Sequence, residues 1–194
     1  MISIRHIGPV VYAIIIGIFI LSGSPNQLES QPREPDLAPY IPTPQEVVDR
    51  MLELAEVTTT DVVYDLGSGD GRIPITAAKR YGARGVGIDF DPQRIAESNA
   101  NARLEGVTDR VEFILGDALQ ADVSEATVVT LYLLSSSNIK LRPILTRQLS
   151  AGTRIVSHAF DMGDWLADRI EIFKDYRGNP RTLYLWQFDG QPRN

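Results

Sequence analysis

The sequence predicts an α/β fold, a mostly parallel sheet with helices on both faces that finishes in a C-terminal antiparallel hairpin. Short apolar runs of strand length alternate with longer stretches of helical periodicity, the pattern of βαβ units with parallel pairing and right-handed crossovers. A glycine-rich turn follows the first apolar run. Near the C-terminus two strand-length runs are separated only by Arg177-Gly178-Asn179-Pro180-Arg181, too short for a crossover helix and suited to a hairpin.

The elements can be justified in order. Thr43-Pro44-Gln45-Glu46 offers a threonine N-cap, a proline at the first helical position and a glutamate at the third, so a capped helix is expected to start there. Val47, Met51, Leu54 and Ala55 recur at helical spacing until Thr58-Thr59-Thr60 ends the pattern. Seven strands are expected, at 62–66, 85–88, 111–115, 128–134, 154–157, 170–176 and 182–188. Helices are expected at about 73–81, 92–104 and 139–149, the second capped by Asp91. The hairpin implies that the sheet ends with an antiparallel strand.

The N-terminus reads differently. Ile7 to Leu21 is an apolar run directly behind Arg5 and His6, so residues 1–24 form either an uncleaved membrane anchor or a cleaved signal peptide exiting at Ser22-Gly23-Ser24, with a buried helix as the third reading. Residues 25–39 carry Pro25, Pro32, Pro35 and Pro39 among polar side chains and read as a linker. Residues 40–190 are then the folded domain. At 194 residues, 43% hydrophobic and 23% charged, the chain has room for one sizeable core, and its composition excludes wholesale disorder and a multi-span membrane protein. A net charge of -6 disfavours nucleic acid as a partner. Without cysteine there is no disulfide, no thiolate zinc site and no cysteine nucleophile, and two histidines argue against a His-rich metal site.

The functional signal lies at the strand ends. Asp65-Leu66-Gly67-Ser68-Gly69-Asp70-Gly71 follows the first strand, where glycines let backbone approach a ligand and open a tight turn. Arg72 stands where a dinucleotide fingerprint would want a third glycine, and Asp65 and Asp70 suit a cationic ligand better than a pyrophosphate. Asp89, at the end of the second strand and followed by Phe90, lies near the offset at which an acid takes ribose hydroxyls. Asp117, after the third strand and beside Ala118, could meet an adenine edge or simply cap a turn. Tyr40 reads either as a lid over the ligand or as a ring packed on the domain. His158 and Trp165 lie near the same mouth but read first as core residues.

These residues resemble the class I S-adenosylmethionine-dependent methyltransferases, over roughly Asp61 to Phe188, and that resemblance implies a Rossmann-like seven-stranded sheet and S-adenosylmethionine as cofactor. Pro39-Tyr40-Ile41-Pro42-Thr43-Pro44, together with Asp65 to Ile73, is similar to the membrane-anchored mitochondrial protein-lysine methyltransferases and their bacterial relatives. The resemblance implies cofactor binding by Asp65, Gly67, Ser68, Gly69, Gly71, Asp89, Phe90, Asp117 and Ala118, no metal, and a lysine acceptor on a membrane or membrane-associated protein. Tyr40 and Tyr132 are the catalytic candidates, Tyr132 because it sits at the end of the fourth strand. That segment lacks the Asn/Asp-Pro-Pro-Tyr/Phe pattern of enzymes that methylate adenine or glutamine, and the lack of cysteine excludes covalent cytosine C5 chemistry. A small-molecule methyltransferase would want a substrate-covering insertion where only Ala159 to Asp168 intervenes, and a noncatalytic nucleotide-binding scaffold is the rival of another class. Because the cofactor is made in the cytosol or its organellar equivalent, the catalytic domain is expected to face that side. Oligomeric state is not encoded in any motif.

Overall fold

The computed structural model describes residues 38–193. Helix α1 (Gln45–Leu54) leads into β1 (Val62–Leu66), and α2 (Arg72–Thr76) continues as a π-helical turn, Ala77–Tyr81, before β2 (Arg84–Asp89). Helix α3 (Pro92–Glu105), β3 (Val111–Leu115), a 3-10 turn at Ala118–Gln120, β4 (Val128–Leu131), α4 (Ser135–Gln148) and β5 (Arg154–His158) follow. The hairpin strands β6 (Arg169–Lys174) and β7 (Pro180–Gln187) complete one seven-stranded sheet ordered β3-β2-β1-β4-β5-β7-β6. Every pairing from β3 to β5 is parallel, and β7 is antiparallel to both its neighbours.

Two apolar layers sandwich this sheet because alternate residues face opposite sides. Val63, Val128, Val156 and Leu183 pack under Val47, Met51 and Leu52 of α1 and Ile73 of α2. Leu66, Val129, Leu131, Ile155 and Trp186 pack on the other side against Leu141 and Leu145 of α4. Helix α3 is fastened at both ends: Asp91 accepts from the Gln93 amide at 2.8 Å, Pro92 occupies the first turn and Gly106 closes it in the left-handed region. Asp91 is the cap the sequence favoured.

Two local expectations are corrected. Thr43 does not cap α1; Pro44 takes that place with no side-chain cap. The Glu46 carboxylate that the box would use accepts instead from the Tyr176 amide at 3.0 Å, and the Thr43 backbone carbonyl is held by Arg72 Nη1 at 2.7 Å. The run 128–134 is strand only to Leu131, because the Ser137 and Asn138 amides bond back to the Leu134 carbonyl and start α4 a turn before the apolar pattern suggests. The C-terminal hairpin closes the sheet as expected, and the structure adds the order of its strands. β7 carries the buried Leu183, Leu185 and Trp186 and lies inside, while β6, with Ile170 and Ile172 exposed, forms the border.

Among the described residues no helix is long and apolar enough to cross a membrane. The run Ile7 to Leu21 and the linker to residue 37 lie outside the described residues.

Candidate active site

The parallel strands end together, and the turns beyond β1, β2 and β3 are tied to one another by hydrogen bonds. The Gly67 and Ser68 amides both donate to the Ile88 carbonyl, at 2.8 and 3.0 Å, which pins the glycine turn to β2. Buried Asp89 accepts from the Gly69 amide through Oδ2 at 2.8 Å and from the Asp91 amide through Oδ1 at 2.9 Å, so one carboxylate holds the turn and the entry to α3. Each oxygen has further acceptor capacity. The Gly116 amide donates to the Asp89 carbonyl at 2.9 Å, carrying the end of β3 to the same place.

Asp117 caps the 3-10 turn, accepting from the Leu119 amide at 2.8 Å and from Gln120 Nε2 at 3.2 Å. The turn-capping reading of this residue is therefore a structural fact, and its exposure leaves it open to a ligand as well. Ala118 packs its methyl into the core, whereas Phe90 stands half exposed at the mouth.

Asp65 is fully enclosed and accepts from Thr130 Oγ1 at 2.7 Å. Burial pushes its carboxyl up to about 7, with the Thr130 bond opposing and the nearby charges of Asp89 and Asp70 adding to the rise. Three carboxylates thus crowd one turn, which favours a ligand bearing positive charge. Ser68, also buried, has a hydroxyl without a hydrogen-bond partner among the described residues.

Tyr40 lies on this turn. Gly69 has φ of +54°, and a Cβ there would come within 2.6 Å of Tyr40 Cε2, so only glycine permits both the conformation and the ring above it. The Arg94 guanidinium stands 4.4 Å from the Tyr40 ring centroid. Burial and the Asp70 charge raise the Tyr40 hydroxyl above its ordinary value, partly offset by a hydrogen bond from Arg94. Arg72 bonds Asp70 through Nε at 2.9 Å while Nη1 takes the Thr43 carbonyl. The residue that departs from the dinucleotide fingerprint therefore straps the 40–44 segment to the loop. Gly71, with φ of +78°, admits the Phe113 ring to within 2.5 Å of where a Cβ would stand, which brings α2 close to β3.

Tyr132 follows β4 on the other side of the glycine turn. Its ring lies 4.1 Å from His158 and 6.2 Å from Phe160 between centroids, while Leu133 Cδ2 sits 3.0 Å from where a Gly67 Cβ would be. His158 is buried, and burial followed by the Arg181 charge lowers its imidazole to about 4. Trp165 is a packing residue: it stacks near Trp186 and its carbonyl accepts Trp186 Nε1 at 2.9 Å. Sequence reasoning missed the parts played by Arg72, Arg94 and Thr130. Thr130 carries a faint signal, a hydroxyl in an otherwise apolar central strand, but nothing local ties Arg94 to Tyr40 across more than fifty residues. Among the described residues no cluster of three or more histidine or acidic side chains is placed to hold a metal ion.

Residues 65–169 match the family model of the ANTKMT methyltransferase domain. The chain belongs to this family. The ANTKMT-family chain is 47% identical over 150 residues to a protein-lysine N-methyltransferase of Saccharolobus islandicus (strain REY15A), covering 76% of this chain and 92% of that protein. It is 30% identical over 132 residues to a Xenopus laevis lysine N-methyltransferase named for a component of ATP synthase, where it spans 58% of the relative's length and 68% of its own. A crystal structure described as an RNA methyltransferase from Salinibacter ruber in complex with S-adenosyl-L-homocysteine is 58% identical, with a TM-score of 0.74 over 79% of this chain and 97% of that one. The ANTKMT-family chain is thus an S-adenosylmethionine-dependent methyltransferase with the Rossmann-like class I fold.

Proposed function

We propose that the enzyme N-methylates lysine side chains of proteins, and that its substrates are membrane or membrane-associated proteins reached from an N-terminal anchor in residues 1–24. The observation that carries the reading is the arrangement around the glycine turn: carboxylates at its base, Tyr40 over Gly69, and Tyr132 with Phe160 beside it. Only ten residues separate β5 from β6; of these Met162 is buried, Trp165 packs partly buried against the core, and Phe160 lies beside Tyr132. A site without a covering insertion suits a macromolecular acceptor. The names of the Saccharolobus and Xenopus relatives support lysine.

The residues fit the cofactor. Gly67, Ser68, Gly69 and Gly71 would bring backbone to the cofactor, Asp89 would take ribose hydroxyls, Phe90, Asp117 and Ala118 would border the adenine, and Asp65, when ionised, would add negative charge near the cationic end. Bound S-adenosylmethionine supplies an activated methyl group on a sulfonium. What remains for the chain is to align the acceptor and exclude water. Tyr40 closes the loop side and Tyr132 frames the acceptor amine. A lysine ammonium, with an ordinary value of about 10.4, must give up a proton to water before its amine attacks the methyl group, and the carboxylates at the turn favour the cation on arrival.

The Salinibacter protein is described as an RNA methyltransferase, which favours RNA as a second reading, and the net charge of -6 opposes it. Tritiated S-adenosylmethionine offered with protein and RNA fractions of a strain lacking the enzyme separates the two. Label is expected in protein and, after hydrolysis, in methyl-lysine; label confined to RNA overturns the lysine reading. Asp89→Ala should weaken cofactor affinity by roughly 10- to 150-fold, the loss of about 1.5 to 3 kcal/mol of charge-assisted bonding. Unchanged affinity by calorimetry removes Asp89 from the cofactor site.

A further inference from the structure

Two costly features meet at the acceptor side of the sheet. His158, the last residue of β5, is 1% exposed, and its Nδ1 has no hydrogen-bond partner among the described residues. An unpaired buried polar nitrogen is rare and unfavourable. The next residue, Ala159, has φ of +66°, a left-handed conformation that a side chain disfavours. Bonds from the Ala159 amide to the Thr182 carbonyl at 2.8 Å and from the Phe160 amide to the His158 carbonyl at 2.9 Å hold that bend. Its result is the ring set described above, with Tyr132 seated on His158 and Phe160 further out. An aliphatic side chain at 158 would fill the same core without stranding a nitrogen, so packing alone does not account for the imidazole.

A histidine here could serve as the base for the acceptor ammonium or could place another residue. Magnitude decides between them. An imidazole near 4 is weaker as a base than a lysine amine near 10.4 by a factor of about a million in proton affinity. Placement remains. A flat, uncharged ring can hold Tyr132 without setting a positive charge beside an incoming cation, and Tyr132, only partly buried, keeps ring surface for a cation–π contact.

We propose that His158 is a positioning residue for methyl transfer, seating the Tyr132 ring against the acceptor amine. This rests on the proposed role of Tyr132. The test compares His158→Ala, His158→Phe, Tyr132→Ala and the double variant His158→Ala/Tyr132→Ala. Tritiated S-adenosylmethionine is the donor and protein extract of a strain lacking the enzyme is the acceptor, with calorimetric S-adenosylhomocysteine affinity and Tm measured alongside. Tyr132→Ala and His158→Ala should each lower kcat by about 10- to 50-fold with S-adenosylhomocysteine affinity unchanged, and the double variant should lose no more than either single one. His158→Phe, which keeps a neutral ring, should recover turnover to within about threefold. If Tyr132→Ala lowers turnover while His158→Ala changes only Tm, the inference fails and the role of Tyr132 stands. If Tyr132→Ala has no effect, that role fails and the inference with it. Multiplying losses in the double variant also overturn it.

Discussion

Asp65 and His158 pull the pH response of the cofactor-free protein in opposite directions, because the lowered value of His158, about 4, adds stability as pH rises to its ordinary 6.5. The folded-state value of Asp65, about 7, lies above the ordinary 3.8, so over that window the native protein binds a proton there that the unfolded chain does not. Its contribution to stability therefore falls as pH rises from about 4 to about 7 and is level beyond. Asp65→Asn keeps the bond from Thr130 and removes the buried charge. We expect it to raise the stability of the cofactor-free enzyme at pH 8 by up to about 4 kcal/mol, at ~1.4 kcal/mol for each tenfold in proton affinity. Urea melts at pH 5 and pH 8 check this, and an unchanged pH slope in the variant contradicts it. At the loop's other face, Tyr40→Ala should lower kcat/KM by about 10- to 100-fold, roughly 1.4 to 2.7 kcal/mol of lost positioning, with a smaller effect on cofactor affinity. Steady-state methyl-transfer kinetics beside calorimetry measure the two separately.

At the scale of elements, the hairpin offers a sharp test. The Asp175 carboxylate accepts from the Arg177 and Asn179 amides at 3.0 and 2.8 Å and from Arg181 Nη2 at 2.8 Å. These bonds outweigh burial and hold it down to about 2. Because the folded value is depressed, the stability it confers is present above about 4 and is lost as pH falls through about 2. Asp175→Ala should lower Tm at pH 7 and flatten the acid limb of the stability curve, as differential scanning calorimetry can show. The hairpin itself was legible in the short Arg177-Gly178-Asn179-Pro180-Arg181 stretch, as was the helix start at Asp91-Pro92, because in both the deciding partners are neighbours in sequence. The N-terminus of α1 differs for the opposite reason: the Glu46 carboxylate that a capping box would use accepts from the Tyr176 amide, 130 residues away. The place of β7 inside the sheet was likewise hidden, since a turn fixes which strands pair and says nothing about which of them meets β5. The glycine turn and its acids were legible from spacing, whereas Arg94 over Tyr40 and Thr130 under Asp65 exist only once the chain has folded.

For the whole molecule, charge and the N-terminal run are the basis of the proposal for where the enzyme works. An acidic surface steers away from phosphate backbones, and residues 1–24 are expected to hold the enzyme on a membrane, with the catalytic domain on the side where the cofactor is made. A chain beginning at Pro39 should stay in the supernatant after ultracentrifugation and still bind S-adenosylhomocysteine, while the full chain should resist a salt wash of the membrane pellet. Release by salt, or a mature N-terminus mapping after Gly23, contradicts the anchor. The central claim, methylation of protein lysines, is met most directly by quantitative mass spectrometry of methyl-lysine peptides in cells carrying either the native enzyme or Asp89→Ala. Loss of methylation at a small set of lysines, concentrated in membrane fractions, is the predicted result; persistence of every methyl-lysine site while a methylated RNA or metabolite disappears would contradict it.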